Sequence, residues 1–139
     1  MSDPKKQTAL DAMAIINDGH LHLANELVHP DYHSHETAAD RPGGPEGFKQ
    51  WAIIIRTAFS EIRFVPQDVI AEHDRVVIRG QFTARHVGTF AGMPATGRGV
   101  SIQEIHIWRV LGPQVIEHWA LRDRAEALRQ LGLLQVCGR

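Results

Sequence analysis

Apolar side chains recur at helical spacing in the first part of the chain and alternate with polar ones in the second. Between residues 10 and 28 they return every three or four positions, with one interruption at Asp18 and Gly19. This pattern predicts two consecutive helices, at about 5–17 and 20–28. The second helix should end before Pro30, because the residue preceding a proline disfavours helical geometry.

A third helix is expected after a loop that contains Pro42 and two glycines. Pro45 suits its first turn, since proline has no N–H and its fixed φ is already helical. A broad apolar stripe would lay this helix on a sheet. The stripe consists of Phe48, Trp51, Ile55, Ala58 and Phe59. The segment 31–35, between the second and third helices, is predicted to be extended.

From Ile62 onward apolar and polar residues alternate with the period of two that is typical of strands. Strands are predicted at 62–72, 76–87 and 100–110, and a last strand begins near 115. Helices followed by a meander of long antiparallel strands favour an α+β fold, with the helices on one face of a curved sheet. Residues 1–139 are expected to form a single domain.

The last strand carries the most specific chemical signal. Successive strand side chains point to opposite faces, so Glu117, Trp119, Leu121 and Asp123 are predicted to share one face. A carboxyl group enclosed by a Trp and a Leu in a cavity is suited to proton transfer, which makes Asp123 a candidate general acid/base. The alternative is structural, because Asp123 and Glu126 have the spacing of a helix capping box.

Composition excludes several classes of protein. The chain has 15 Lys and Arg against 16 Asp and Glu, so no basic surface for nucleic acid or an anionic membrane is expected. Cys137 is the only cysteine, which excludes an internal disulfide or a cysteine-based zinc site. No signal peptide or membrane-spanning run is evident, so a cytoplasmic protein is expected.

Nine histidines are unusual in so short a chain. On the predicted strands His86, Glu104 and His106 share faces with large apolar residues, and a curved sheet can bring such positions together in one apolar pocket. There they would share proton transfer with Asp123, although each histidine could instead make only a structural hydrogen bond. The glycine-rich stretch 88–99 is predicted to shape the pocket rim, because no helix follows it to cradle a phosphate.

His33, His35 and Glu36 resemble half of a metal site, which His86 or His106 could complete. Oxygenases with two histidines and one carboxylate in the cupin fold are all-β barrels, whereas this chain begins with helices. No metal is therefore predicted.

Several motifs in order along the chain carry a family resemblance. They are HPDYHSH (29–35), PGGPEGF (42–48), DVIAEHDRVV (68–77), HVGTF (86–90), PATGR (94–98), and IEHW (116–119) followed by Asp123 and QLG (130–132). Together they resemble the SnoaL-like polyketide (ester) cyclases, within the superfamily that includes nuclear transport factor two and ketosteroid isomerase.

The resemblance implies a cone-shaped domain with a deep apolar pocket, and a homodimer or homotetramer. It further implies a cofactor-free intramolecular aldol condensation that closes a ring of an apolar or aromatic carbonyl substrate. Asp123 would be the acid/base, and His35 or His86 would stabilise the enolate. The residues expected to contact the substrate are Trp119, Trp108, Phe90, His106, His33, Glu104 and Trp51.

Three alternatives to this enzyme remain open at this point. The first is a domain of the same fold that binds a small molecule without catalysis. The second is a cofactor-independent hydroxylase. The third is a histidine-ligated metal oxygenase. The predicted helices at the start of the chain argue against it.

Overall fold

A five-stranded sheet forms the body of the molecule, and helices pack against one of its faces. The computed structural model describes residues 3–36 and 42–133. The helices are α1 (Pro4–Asp18), α2 (Ala24–Leu27), α3 (Gly44–Ala58) and α4 (Arg124–Gln130), with a 3₁₀ helix at Leu21–Leu23. The strands are β1 (Val28–Ser34), β2 (Phe59–Glu72), β3 (Arg75–His86), β4 (Gly99–Leu111) and β5 (Gln114–Arg122).

The strand order is β1-β5-β4-β3-β2. Strands β2 to β5 form the predicted antiparallel meander, and the α+β class is confirmed. The sheet is nevertheless mixed, because the extended segment after α2 pairs in parallel with β5, with Ser34 opposite His118. The sequence predicted the extended segment but not its partner. A parallel pair has no hairpin turn to mark it in the sequence.

Helix α1 has well-defined ends that are legible in the sequence. The Asp3 side chain accepts the N–H of Lys5 at 2.9 Å, and Pro4 occupies the first turn. At the other end Gly19 has φ 80°, and its N–H donates to the carbonyl oxygen of Ile15 at 2.9 Å. Glycine adopts this left-handed conformation without strain, which explains the interruption at this position.

Helix α3 lies on the sheet through the predicted apolar stripe. Phe48, Ile55 and Ala58 are buried, and Trp51 is partly buried. One apolar cluster lies under α1 and includes Ile15, Ile78 and Trp108. A second cluster of buried residues lies at the other end of the sheet and consists of Ile55, Ala58, Phe59, Ala84, Val100, Ile102 and Leu131.

The predicted faces of β3 and β4 are confirmed. Every second residue of β4 from Val100 to Val110 is buried, including Glu104 and His106. On β3 the same holds for Val76, Ile78, Ala84 and His86, while Phe82 is partly buried on the same face.

The prediction that Trp119 and Leu121 on β5 face a cavity is wrong. A β-bulge at Ile116 causes this: Val110 pairs with Val115, but the preceding Arg109 pairs with Glu117. One extra residue reverses which side chains point inward. Val115 is buried before the bulge and His118 after it, whereas Trp119 and Leu121 lie on the outer face, where Leu121 is 77% exposed.

No helix within residues 3–36 and 42–133 is both long enough and apolar enough to cross a membrane.

Candidate active site

A cavity of about 330 Å³ lies between the inner face of the sheet, α3 and α4. Its walls are mainly apolar and include Trp51, Phe59, Phe82, Phe90 and Ile102. At one end the lining becomes ionic, with Glu36, Glu104, Arg122 and Arg124. The volume is at the lower end of the range for small-molecule sites, and apolar walls with a few convergent polar groups are typical of them.

Arg122 bridges two buried carboxylates at the ionic end. Its Nη1 donates to Glu104 at 2.6 Å, while its Nε and Nη2 each donate to Glu36 at 3.0 Å. The side chains of Glu36 and Glu104 are only 5% and 2% exposed. Burial alone would lower the pKa of Arg122, but the two carboxylates outweigh it and raise that pKa. The guanidinium is therefore permanently charged.

Glu104 is the first member of a hydrogen-bonded chain that runs into the core. Its second oxygen lies 2.8 Å from Nε2 of His106, and Nδ1 of His106 lies 2.9 Å from Nε2 of His118. Nδ1 of His118 in turn lies 3.0 Å from Oγ of Ser34. Burial tends to raise the pKa of Glu104, but the His106 hydrogen bond and the Arg122 charge hold it below its usual value.

His118 is held neutral by its surroundings. Burial is the largest cause, and the nearby His106, Arg122 and His35 act in the same direction, so its pKa lies well below 6.5. A second space of about 30 Å³ is lined by His106 and shares Trp51, Phe82, Glu104 and Arg122 with the main cavity. His106 therefore lies behind Glu104, at the inner end of the site.

Strand register positions these groups. Glu104 pairs directly with Arg122, and Trp108 with His118, so the bulge in β5 aligns two inward-facing rows. On the other side Glu104 pairs with Gly80. A Cβ at Gly80 would collide with the Val65 carbonyl oxygen and the Phe64 ring, and that ring packs edge-on against His106 at 5.4 Å. Glycine is needed here for close approach.

Ala127 on helix α4 and Leu131, directly after that helix, close the cavity. The Gln130 side chain fixes the helix to β4, because its amide accepts the N–H of Ser101 at 2.7 Å and donates to the Ser101 carbonyl at 2.9 Å. Asp123 caps the other end of the helix by accepting the N–H of Glu126 at 3.2 Å.

Some residues singled out in the sequence meet at this site. Glu104, Phe90 and Trp51 line the main cavity, and His106 lines its inner extension. Asp123 does not join them. It is exposed at the rim between Arg122 and Arg124, and its carboxylate makes the capping hydrogen bond that was the structural alternative.

The remaining candidates lie elsewhere. His86 is buried at the end of β3, where its Nδ1 accepts the N–H of Thr96 at 3.3 Å. Trp108 is a core residue whose ring centroid lies 4.0 Å from that of His118. His35 stacks on Trp119 on the outer face and contacts Glu117 at 2.7 Å, and His33 lies edge-on to His35.

The half metal site does not form. Glu36 pairs with Arg122, away from the two neighbouring histidines. In the part of the chain that the structure describes, no group of three or more His, Cys, Asp or Glu side chains could hold a metal ion.

Sequence reasoning missed Arg122, His118 and Ser34 as members of the site, and it considered Glu36 only within a metal site that it did not predict. The available signal was one acidic residue, Glu104, in the inward row of β4 and one basic residue, Arg122, four positions after His118. Using it requires the β5 bulge, which the amino-acid pattern alone does not reveal.

The fold and cavity define a class of small α+β proteins with an apolar pocket that ends in ionic groups. The family model described as SnoaL-like polyketide cyclase matches residues 7–131, and the chain belongs to this family. It is 30% identical over 128 residues to the nogalonic acid methyl ester cyclase of Streptomyces nogalater, covering 86% of this chain and 91% of that protein.

Two further comparisons agree with this assignment. The aklanonic acid methyl ester cyclase DnrD of Streptomyces peucetius is 31% identical over 120 residues, with 84% of this chain and 82% of DnrD covered. The solved structure of TsrD from Streptomyces laurentii superposes with a TM-score of 0.86 at 26% identity, covering 96% of this chain and 99% of TsrD.

The low pKa of His118 predicts a loss of stability in mild acid. An unfolded histidine binds a proton below about pH 6.5, whereas buried His118 does not, so the unfolded state binds more protons there. The free energy of unfolding should fall as pH decreases from 6.5, by at most about 1.4 kcal/mol per pH unit from this group. Urea unfolding between pH 7.5 and 5 measures this slope.

His118→Gln removes the titrating group and should flatten that slope. His22→Gln, at an exposed position in the 3₁₀ helix, is the control and should leave the slope as in the wild type. An equal slope in wild type and His118→Gln would contradict a neutral buried His118.

Proposed function

We propose that this protein catalyses an intramolecular aldol cyclisation of a polyketide ester or a related carbonyl compound within the 330 Å³ cavity. The observation that carries the proposal is a buried carboxylate, Glu104, at the end of an apolar pocket and hydrogen-bonded to His106. The names of the two methyl ester cyclases support the substrate class. We assign the acid/base role to Glu104, whose carboxylate is held in place by its hydrogen bond to His106.

The reaction needs one base that later acts as an acid. A carbon between two carbonyl groups is acidic, and Glu104 would take its proton while the electron pair remains on the substrate as an enolate. The enolate carbon then bonds to a second carbonyl carbon, whose oxygen becomes an alkoxide. Protonated Glu104 returns the proton to that oxygen, so the carboxylate is regenerated and no electrons are exchanged with a cofactor.

Arg124 is suited to stabilise the developing negative charge. It lines the same cavity as Glu104, and it has no ion pair with any residue in 3–36 or 42–133. Arg122, in contrast, is already paired with two carboxylates. A guanidinium next to an enolate oxygen stabilises the developing negative charge and so lowers the barrier. Trp51 and Phe90 provide flat contacts for a planar substrate.

The catalytic role predicted for Asp123 is the competing assignment for the same step. Its position next to Arg122 and Arg124 at the rim favours proximity to the substrate. Its exposure and its capping hydrogen bond favour a structural role. His86 and His35, also predicted as catalytic, are not among the residues that line the cavity. His86 packs against Phe59 with the ring centroids 5.4 Å apart, and His35 lies on the outer face of the sheet, so we assign them no step.

Glu104→Gln should lower kcat/KM by roughly 10²- to 10⁴-fold, the usual contribution of a general acid/base. Asp123→Asn should remain within a few-fold of the wild type, because asparagine caps a helix as well as aspartate does. The variant tests the competing assignment, since an asparagine amide cannot act as the base. Conversion of nogalonic acid methyl ester, with substrate and product separated by chromatography and identified by mass spectrometry, measures both effects.

Glu117→Gln is the matched control, since Glu117 also contacts a histidine and an arginine, at 2.7 and 2.8 Å, but on the outer face. Its activity should be unchanged. Full activity in Glu104→Gln together with loss in Asp123→Asn would transfer the role to Asp123. A cyclised product has the mass of the substrate, whereas a product with one added oxygen would instead indicate the hydroxylase.

We further propose that the outer face of the sheet binds a second copy of this chain. An apolar row crosses four strands there through the paired residues Ile70, Val77, Ile107 and Trp119. The neighbouring Leu121 is 77% exposed. Exposed apolar patches of this kind are typical of interaction surfaces.

Leu121→Glu should therefore convert a dimer or larger assembly into a monomer in analytical ultracentrifugation, because it places a charge directly beside the row, within the proposed interface. Leu111→Glu is the control, since Leu111 is 51% exposed at the hairpin end of β4 and lies outside the row. A wild-type protein that sediments as a monomer at micromolar concentration would refute the proposed interface.

A further inference from the structure

Two buried groups behind Glu104 and His106 have no part in the proton transfer described above. His118 is 3% exposed and Ser34 is 7% exposed, and both lie on inner positions of paired strands. They continue the hydrogen-bonded chain from His106 at successive distances of 2.9 and 3.0 Å. A buried polar chain of this length is costly unless every member has a partner.

The donors and acceptors in this chain fit one arrangement when both histidines are neutral. The Glu104 carboxylate can only accept, so Nε2 of His106 carries the proton and its Nδ1 must accept. Nε2 of His118 then donates to His106, and Nδ1 of His118 accepts from the Ser34 hydroxyl. The Ser34 hydroxyl has one proton to donate to His118, and the two lone pairs of its oxygen can accept the N–H of Glu36 at 3.4 Å and the Tyr32 hydroxyl.

We infer that His118 and Ser34 are positioning residues, which fix His106 as its Nε2–H tautomer and thereby keep its hydrogen bond directed at Glu104. The inference rests on the proposed function, in which Glu104 is the base. A neutral His118 that donates to Nδ1 of His106 leaves that nitrogen without room for a proton of its own.

The opposite arrangement explains why this matters for the reaction. Doubly protonated His106 would donate from both nitrogens, and His118 would have to turn its own proton toward Ser34. A full positive charge next to Glu104 would stabilise its ionised form further and weaken it as a base. The charged and titratable groups around His118 are His106 and Glu104 on β4, Arg122 on β5, and Tyr32, His35 and Glu36 on or after β1.

The test reads the tautomers directly by ¹⁵N NMR of histidine-labelled protein. In the wild type at pH 7, His106 and His118 should each carry their proton on Nε2. His118→Gln should preserve the His106 tautomer, because the glutamine amide can donate in place of Nε2–H. His118→Leu and Ser34→Ala should disturb it, because each removes a hydrogen bond that fixes the tautomers along the chain.

Turnover of nogalonic acid methyl ester supplies the second readout. His118→Leu should lose roughly 10- to 100-fold in kcat, the usual effect of removing a partner that orients a functional histidine. His118→Gln should restore kcat. His22→Gln, outside the chain of hydrogen bonds, should match the wild type throughout.

The inference is overturned if wild-type His106 carries its proton on Nδ1, or if His118→Gln and His118→Leu change its tautomer equally. The NMR readout needs no substrate, and the His106 tautomers of the wild type, His118→Gln and Ser34→Ala decide the inference even when His118→Leu fails to fold. A wild type that shows the expected tautomers but does not cyclise the ester would instead count against the proposed function alone.

Discussion

The structure depends on the placement of one arginine between two carboxylates that are almost completely removed from water. Burying a carboxylate without a partner costs several kcal/mol, and Arg122 contacts both Glu36 and Glu104. These three residues come from the turn after β1, from β4 and from the end of β5, so the interaction joins distant parts of the chain. Removing one partner of such a pair typically destabilises a protein by about 3–5 kcal/mol.

This interaction also separates the two ends of the cavity. The apolar walls around Phe59, Phe90 and Ile102 favour a carbon-rich substrate, while the neutralised ionic end can hold a carboxylate close to it. His106 is hydrogen-bonded to Glu104 on the side away from the main cavity and does not line that cavity. Stability and chemistry therefore share the same residues, and a substitution here affects both.

Much of the fold could be predicted because local patterns determine it. The capped ends of α1, the apolar stripe of α3 and the alternation in β4 depend on neighbours a few residues away. The inward row of Glu104, His106 and Trp108 followed directly from that alternation. Membership of the SnoaL-like family agrees with the ordered motifs quoted from the sequence.

The site was less predictable because it depends on long-range register. One extra residue at Ile116 turns His118 and Arg122 inward and Trp119 outward, and the alternation on either side of it looks equally regular. The parallel pairing of β1 with β5, which brings Ser34 and Glu36 to the site, has no local signature either. The sequence leaves both interpretations of Asp123 open. In the structure Asp123 makes the capping hydrogen bond and is not among the residues that line the cavity, while its catalytic role stays a prediction.

The most direct measurement is a crystal structure with a slow or unreactive methyl ester analogue bound in the cavity. We expect the carbon that loses its proton to lie about 3–3.5 Å from a carboxylate oxygen of Glu104, the distance of a productive arrangement. A ligand whose reacting carbon instead contacts Asp123 at the rim, with Glu104 remote from it, would contradict the account.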